Sequence, residues 1–220
     1  MQVTDDSGRL EVAAVILAAG RSSRMAAGNK LLLPVRGLPM VRHAALAALA
    51  SKAAEVVAGT GHQATEVAEA LSGLDLRRVH NPDFARGMAT SLQVGIGALD
   101  AKIAGAVVLL GDMPDVPAAV IDALIDAFRR AEGSRICQPR YRGRPGNPVL
   151  LPRRLFADVR HLSGDMGART LLEAESARIL GVDVDSPAIH MDIDTAEDLP
   201  PGPAPEETKK HRETKKKGAF

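Results

Sequence analysis

The sequence predicts an α/β protein, a three-layer α/β/α sandwich of the Rossmann-like kind with a mostly parallel sheet. Two observations predict it: apolar runs of strand length alternate with segments of helical period, and the 220 residues are enough for one such domain. Ligands of open α/β sheets bind at the carboxyl ends of the strands. We therefore expect the site in the polar and glycine-bearing segments that follow the strands.

The amino-terminal two thirds of the chain carry the regular alternation. A buried strand at 12–18 precedes an Ala- and Leu-rich helix at 40–51. Further strands are predicted at 55–58, 76–80 and 106–110, and further helices at 65–71, 90–99 and 118–131. This order indicates successive βα units in one sheet.

After Arg135 the regularity weakens. Short strands are predicted at 136–139 and 149–151, a Gly/Arg/Pro loop at 142–145, helices near 154 and 168, and a final strand pair at 178–184 and 189–193. Such a stretch is more typical of a substrate-facing insertion than of another plain βα unit.

Composition sets the class of protein. Apolar residues make up 45% and charged residues 25%, as in soluble globular proteins, but aromatics only 2%, so Ala, Val, Leu and Ile must build the core. The single Cys137 excludes an internal disulfide and fits a reducing compartment. Neither a signal peptide nor an apolar run of bilayer length is evident. We expect a cytoplasmic protein without a membrane partner.

The carboxyl-terminal segment differs from the rest. Residues 201–220 carry six Lys or Arg against three Glu, which leaves 22 basic and 24 acidic side chains in the body. A basic segment can bind nucleic acid or an acidic partner, but Pro-rich spacing before a Lys-rich run favours a solvated, disordered tail. We predict a domain at 1–200, a disordered basic tail at 201–220, and no nucleic-acid partner.

The loop after the first strand is the strongest signal. Its backbone amides, at Leu17, Ala18, Ala19 and Gly20, can approach a polyphosphate closely, while Arg24 and Lys30 supply cationic donors. A plain strand-to-helix turn would also contain Gly. The two cations at these offsets favour nucleotide binding.

Residues 17–33 resemble the opening signature of the nucleotidyltransferases that include the molybdenum-cofactor guanylyl- and cytidylyltransferases. The resemblance implies a nucleotidyltransferase fold and transfer of a nucleotidyl group with release of pyrophosphate. Relatives usually have Gly directly after Arg-Met, where this chain has Ala26 and Ala27 before Gly28.

The second signal is Asp112, which follows an apolar strand and Gly111. A carboxylate at this strand end can hold Mg²⁺ against the α-phosphate of a nucleotide, although a turn-forming Asp before Pro114 would look the same. By resemblance to a D-x-D-T-P-E-D-L segment, the second metal contact maps to Asp194. Strand alternation leaves Asp192 open as well. Glu197 and Asp198 are expected to cap or begin a terminal helix.

Three further blocks complete the resemblance. Residues 87–92 resemble a G-M-A-x-S-L segment of cytidylyltransferases, which places Gly87 and Ser91 near the cytosine; N-capping by Thr90 or Ser91 is the alternative. Residues 143–149 and 162–169 resemble segments that line the acceptor side of the cleft, and the acceptor candidates are Asn147, Asp165 and Arg169. His62, after the second strand, is expected to be solvated or capping rather than a ligand contact.

The resemblance implies Mg²⁺-dependent in-line transfer of CMP from CTP to molybdopterin or the molybdenum cofactor, with Arg24, Lys30 and Asp112 as the catalytic residues. Ala18-Ala19 and the block at 87–92 favour CTP. A client molybdoenzyme or its chaperone is a further candidate partner. Alternatives are a guanylyltransferase of the same cofactor, a sugar-phosphate nucleotidyltransferase, a non-catalytic nucleotide- or cofactor-binding protein, and a recruited oxidoreductase. The sequence lacks a G-x-G-x-x-G fingerprint, which weakens the case for an oxidoreductase.

Overall fold

A computed structural model describes residues 8–21, 28–195 and 198–199 of the chain. Arg24 and Glu197, both predicted above to have a role, lie outside the described residues, as does the segment 201–220. The boundary at residue 200 therefore stays a prediction.

Ten strands and six helices are described. The strands are β1 (Val12–Ala18), β2 (Pro34–Val35), β3 (Leu38–Pro39), β4 (Glu55–Thr60), β5 (Arg77–His80), β6 (Gly105–Leu110), β7 (Ile136–Tyr141), β8 (Arg144–Pro145), β9 (Val149–Pro152) and β10 (Ile179–Asp183). The helices are α1 (Met40–Leu49), α2 (Ala64–Ala70), α3 (Met88–Gly97), α4 (Ala118–Arg130), α5 (Phe156–Val159) and α6 (Arg169–Ala174).

One sheet organises the described chain, in the order β10-β7-β9-β6-β1-β4-β5, with β8 paired to β7. β1 is parallel to both β4 and β6, whereas β9 runs antiparallel to its neighbours β6 and β7. From β1 the chain adds β4 and β5 on one side and then returns to place β6 on the other. The strand order thus reverses between β1 and β6, which is where open α/β sheets form their ligand crevice.

The sheet is covered on both faces. Alternate side chains of β1 point to opposite sides: Ile16 packs in a cluster with residues of α1, α2 and α4, and Val15 packs in another with residues of α3, α5 and α6. Both side chains are fully buried, as expected for a strand covered by helices on each face. The predicted three-layer α/β/α architecture with a mostly parallel sheet is confirmed.

Helix α4 shows how a core with few aromatics is filled. Its apolar residues recur at helical spacing, and fully buried Phe128 lies over β6, where an ideal Cβ on Gly105 would come within 2.7 Å of the ring. Gly105 therefore provides the room for one of the few large rings in the core. Replacing Phe128 by Ala would cost about 3–5 kcal/mol of stability.

Two predicted elements differ in the structure. The predicted strand at 189–193 is wrong: Pro187–His190 form a 3₁₀ turn, and the Ile193 N–H donates to the Asp112 carbonyl, just beyond β6, at 3.0 Å. Ile189 is apolar because it is buried against the start of α4 rather than because it pairs in a ladder. The predicted loop at 142–145 contains β8, since Arg142 and Gly143 both have positive φ and close a tight hairpin with β7.

Candidate active site

The loops that follow β1 and β6 begin side by side. Leu17 is paired with Leu110 in the parallel register, and the Gly111 N–H continues the ladder by donating to the Leu17 carbonyl at 3.1 Å. An ideal Cβ on Gly111 would lie 3.0 Å from that carbonyl oxygen, so glycine permits the close approach. The chain therefore presents Asp112 next to the phosphate-loop candidate Ala19–Gly20.

Lys30 lies between two carboxylates at this edge of the sheet. Its Nζ is 2.7 Å from Oδ2 of Asp112 and donates a hydrogen bond to Oδ1 of Asp194 at 2.8 Å. A 3₁₀ turn, Lys30–Leu32, positions Lys30, and the buried Asn29 caps that turn by accepting from the Leu31 N–H at 3.1 Å. Residues from three distant parts of the sequence thus form one compact charged cluster.

The cluster lies at the boundary between protein and solvent. Exposed fractions are 13% for the Lys30 side chain, 21% for Asp112 and 34% for Asp194. Burial, the largest single influence, acts to lower the pKa of Lys30, but the charges and hydrogen bonds of Asp112 and Asp194 together outweigh it and raise the pKa above its usual value. Lys30 is accordingly a fixed cation at neutral pH.

Asp112 is only partly satisfied by this arrangement. Its second carboxylate oxygen, Oδ1, is buried and has no hydrogen-bond partner in the part of the chain that the structure describes. A buried carboxylate oxygen without a partner is costly and fits a site for a hard cation. The same described residues contain no group of three or more His, Cys, Asp or Glu side chains that could hold a metal. Two carboxylates suit Mg²⁺, which usually binds through one or two of them together with phosphate oxygens and water.

The structure distinguishes the two aspartates that strand alternation left open. Asp194 contacts Lys30, whereas Asp192 is exposed, because residues 192–194 do not form a strand. Asp198 supports Asp194 by accepting hydrogen bonds from the N–H of Thr195 at 2.8 Å and of Asp194 at 3.2 Å. The Thr195 bonds lower the pKa of Asp198. This capping contact agrees with the structural role expected for Asp198.

A cleft of about 450 Å³ opens above the cluster. Its walls include eight of the predicted site residues, namely Leu17, Ala19, Gly20, Lys30, Gly87, Ser91, Asp112 and Asp165. Ala18 is fully buried in β1 and is not among the lining residues. The segments after β1 and β6, the start of α3 and the 162–169 segment therefore converge on one cleft.

Sequence reasoning missed Asn81. This fully buried side chain donates one N–H to Thr90 Oγ1 at 2.8 Å and the other to Ser91 Oγ at 3.0 Å, and its Oδ1 accepts from the Asp83 N–H at 3.0 Å. Asn81 therefore positions the hydroxyl of Ser91 at the cleft. A polar residue at the end of β5 is a signal that could have identified it.

The alternative role for Thr90 and Ser91 as helix caps is wrong. The N-cap of α3 is Gly87, which has no side chain to cap with, and the Thr90 hydroxyl contacts the Gly87 carbonyl at 2.9 Å instead. Ser91 remains beneath the cleft as a hydrogen-bonding group.

The three acceptor candidates are placed differently. Asp165 lines the cleft, and its loop packs tightly on the start of α3, since an ideal Cβ on Gly87 would lie 2.5 Å from the Gly164 carbonyl oxygen. Arg169 is exposed outside the cleft lining and pairs with Glu173 at 3.0 Å. Asn147 is half-buried just before β9, where its N–H donates to the Ile189 carbonyl at 2.9 Å. The structure brings only Asp165 of these three into the cleft.

Gln93 on α3 fixes the loop that carries Asp165. Its amide nitrogen lies within hydrogen-bond distance of three carbonyl oxygens where α5 ends, those of Val159 at 3.3 Å, Arg160 at 3.2 Å and Leu162 at 2.9 Å. The same helix thus supports both Ser91 and the segment opposite.

Two other polar candidates have no direct part in the cleft. The His62 N–H donates to the Ala19 carbonyl at 3.3 Å, and its ring lies 5.9 Å from that of Phe84, so its observed contacts are structural. Cys137 is buried in the sheet, and burial raises the pKa of its thiol to about 12. The described cleft presents no activated thiol.

Comparison with known proteins identifies the family. The model of the MobA-like NTP transferase domain matches residues 14–179, three quarters of the chain. The chain belongs to this family. As a MobA-like domain it is a nucleotidyltransferase.

Relatives extend the likeness over most of the chain. This MobA-like domain is 31% identical over 194 residues to the nicotine blue oxidoreductase of Paenarthrobacter nicotinovorans, covering 86% of this chain and 94% of that one. It is 37% identical over 127 residues to the bifunctional protein GlmU of Leifsonia xyli, of which it covers 26%.

Solved structures show the same fold. Rv0371c of Mycobacterium tuberculosis superposes with a TM-score of 0.75 at 27% identity, covering 86% of this chain and 96% of that one. A nucleotidyl transferase of Methanothermobacter thermautotroptrophicus gives 0.73 at 27% identity, covering 86% and 94%. A further structure of Rv0371c was determined as a complex with manganese.

None of the helices that the structure describes has both the length and the apolar composition needed to cross a bilayer.

Proposed function

We propose that this MobA-like domain transfers CMP from CTP to the phosphate of molybdopterin or the molybdenum cofactor and releases pyrophosphate, with Mg²⁺ as the cofactor. The observation that carries the proposal is the cluster of Lys30, Asp112 and Asp194 at the strand-order reversal, directly beneath a cleft large enough for a nucleotide. Negative phosphates need such cationic partners, and a divalent ion needs such carboxylates.

Asp112 and Asp194 are the residues that would hold the metal. A divalent cation bound there would neutralise charge that develops on the α-phosphate. Lys30 and, from the sequence, Arg24 would bind the triphosphate oxygens, and the amides of Ala19 and Gly20 would approach them closely. Since an oxygen of the acceptor phosphate attacks the α-phosphorus as the bond to the β-phosphate oxygen breaks, the protein contributes mainly position and charge.

The proposed preference for CTP rests on two residues that line the cleft, Ser91 and Ala19. Ser91, oriented by Asn81, offers a hydroxyl that can exchange hydrogen bonds with the edge of cytosine. Ala19, which lines the cleft, adds a methyl group where a glycine would leave more room, and the smaller space favours a small base over a large one.

A second candidate function is an oxidoreductase. The specific observation that favours it is the 31% identity to nicotine blue oxidoreductase over most of both chains. Buried charge of the Lys30–Asp112–Asp194 kind serves phosphoryl chemistry more directly than electron transfer, so nucleotidyl transfer is the first candidate.

The test is pyrophosphate release from CTP, GTP and ATP, each with Mg²⁺, in the presence and absence of molybdopterin or its molybdenum-loaded form. We expect acceptor-dependent release with CTP above the other two. The parallel assay is reduction of nicotine blue by a supplied electron donor. Redox turnover without pyrophosphate release from any nucleotide would overturn the proposal in favour of the second candidate.

A further inference from the structure

The side chain of Lys30 contacts both of the carboxylates that would hold a metal. Lys30 Nζ is within 2.8 Å of one oxygen from each aspartate, so the ammonium group lies between the two side chains. A lysine on the carboxylates cannot at the same time extend fully to a triphosphate. In the described geometry, therefore, the protein's own cation occupies part of the site that a divalent ion would use.

The bridging position is supported from both sides. The turn Lys30–Leu32 is fixed by the Asn29 cap, and Asp194 is held by the Asp198 side chain through the 3.2 Å bond to its N–H. The carbonyl of Asp112 accepts from the Ile193 N–H at 3.0 Å, so the two acidic segments are tied together through their backbones. These bonds join the two acidic segments without using the Lys30 side chain.

The ammonium group of Lys30 and a divalent metal ion would compete for the same two carboxylates. Oδ1 of Asp112, which has no hydrogen-bond partner among the described residues, leaves capacity for a divalent ion beside the contacts that Lys30 makes. A divalent cation bound to both aspartates would stand within a few ångströms of Lys30 and repel it in a partly buried site. A triphosphate would relieve this repulsion by offering Lys30 other anionic oxygens.

We propose that Lys30 is a counter-ion that is exchanged for the metal, so that the divalent cation binds tightly only when a nucleotide triphosphate takes over Lys30. The inference rests on the proposed function for the identity of the nucleotide. It deepens that function by giving the site an order of assembly: metal and nucleotide enter together, and the metal alone is held weakly. Lys30 is thereby a competitor that keeps the metal alone weakly bound, as well as a contact of the triphosphate.

The decisive experiment measures the affinity of the protein for Mn²⁺ in the absence of nucleotide and acceptor. Binding of Mn²⁺ to the full chain is followed by loss of the free-ion electron paramagnetic resonance signal in wild type, Lys30→Gln and Lys52→Gln. Lys52 is a matched control, because it also pairs with a carboxylate, Asp126 at 2.6 Å, but is exposed and outside the cleft lining. Each variant removes one positive charge.

We expect Lys30→Gln to bind Mn²⁺ about tenfold more tightly than wild type, because it removes a charge-assisted competitor from a partly exposed site, and Lys52→Gln to match wild type. Measured against a mixture of Mn²⁺ and nucleotide without protein, which corrects for the complex that the two form in solution, non-hydrolysable α,β-methylene CTP should raise the Mn²⁺ affinity of wild type strongly and that of Lys30→Gln much less. This coupling in wild type provides a second readout if Lys30→Gln does not fold.

Equal Mn²⁺ affinity in wild type and Lys30→Gln, or a wild-type affinity that the nucleotide does not change, would overturn the exchange. Equal increases in Mn²⁺ affinity in Lys30→Gln and Lys52→Gln would show that net charge alone causes the effect. That result would also overturn the exchange. Failure of the proposed function is seen separately, as absence of pyrophosphate release from CTP while the metal-only result still stands.

Discussion

The change Asp112→Asn tests the metal-binding assignment most directly. It preserves the size of the side chain but removes the charge that lies 2.7 Å from Lys30 and converts an oxygen ligand into a weaker one. Because Asp194 still neutralises Lys30, and because the substituted amide no longer carries a buried anionic oxygen, we expect the free energy of unfolding to change by less than about 1 kcal/mol. Turnover, by contrast, should fall by about 100- to 1000-fold, the range for loss of one preorganised electrostatic contact to the reacting phosphate.

The assay is pyrophosphate release at saturating CTP and Mg²⁺, with circular dichroism and thermal unfolding on the same samples. Asp115→Asn is the matched control, since Asp115 lies three residues further in the same loop and pairs with Arg36 away from the cleft lining. It should retain wild-type turnover. A folded Asp112→Asn with near-normal turnover, or an equal loss in the control, would refute the reasoning.

Three further predictions concern the supports of the site. Asn81→Ala should lower stability by about 1–3 kcal/mol, seen as a lower melting temperature, and weaken CTP binding by leaving Ser91 unoriented, whereas exposed His80→Ala should do neither. Cys137 should resist thiol reagents at pH 8; because its thiol pKa is raised from 9.0 to about 12, the folded chain keeps a proton that the unfolded chain loses, so stability should fall across that window more steeply in wild type than in Cys137→Ala. Deleting residues 200–220, which offer little apolar area, should leave the melting temperature and CTP affinity unchanged, and a drop of several degrees would show that they dock.

The sequence predicted the layers well because burial repeats along the chain. β1 matches its predicted bounds, and α1 and α4 differ from theirs by one or two residues, since each reads as a continuous apolar run or a helical stripe. The same rule failed at Ile189, which is apolar because it packs against Met113 and Val116 in a turn. An apolar residue indicates burial, but it does not by itself indicate pairing in a strand.

The residues of the site could be predicted where a local sequence pattern marks them, and less well elsewhere. Lys30 and Asp112 follow signals that are local in the sequence, and the fold brings them into contact. Which of Asp192 and Asp194 approaches Lys30 depends on a non-repetitive backbone path, so no periodicity could decide it. Asn81 was missed because its role is a set of hydrogen bonds to residues nine and ten positions away, which depend on the turn between them.

The contact between Gly87 and Gly164 limits how this enzyme could be redesigned. The two backbones approach so closely that an added methyl group at residue 87 would collide with the opposite loop, and the positive φ of 110° at Gly87 disfavours any side chain there in any case. A loop grafted from a relative in place of residues 162–169 would therefore have to keep the same backbone path at residue 164. Asp165 lines the cleft, so substitutions of its side chain would change the cleft and leave the close approach of the two glycines in place.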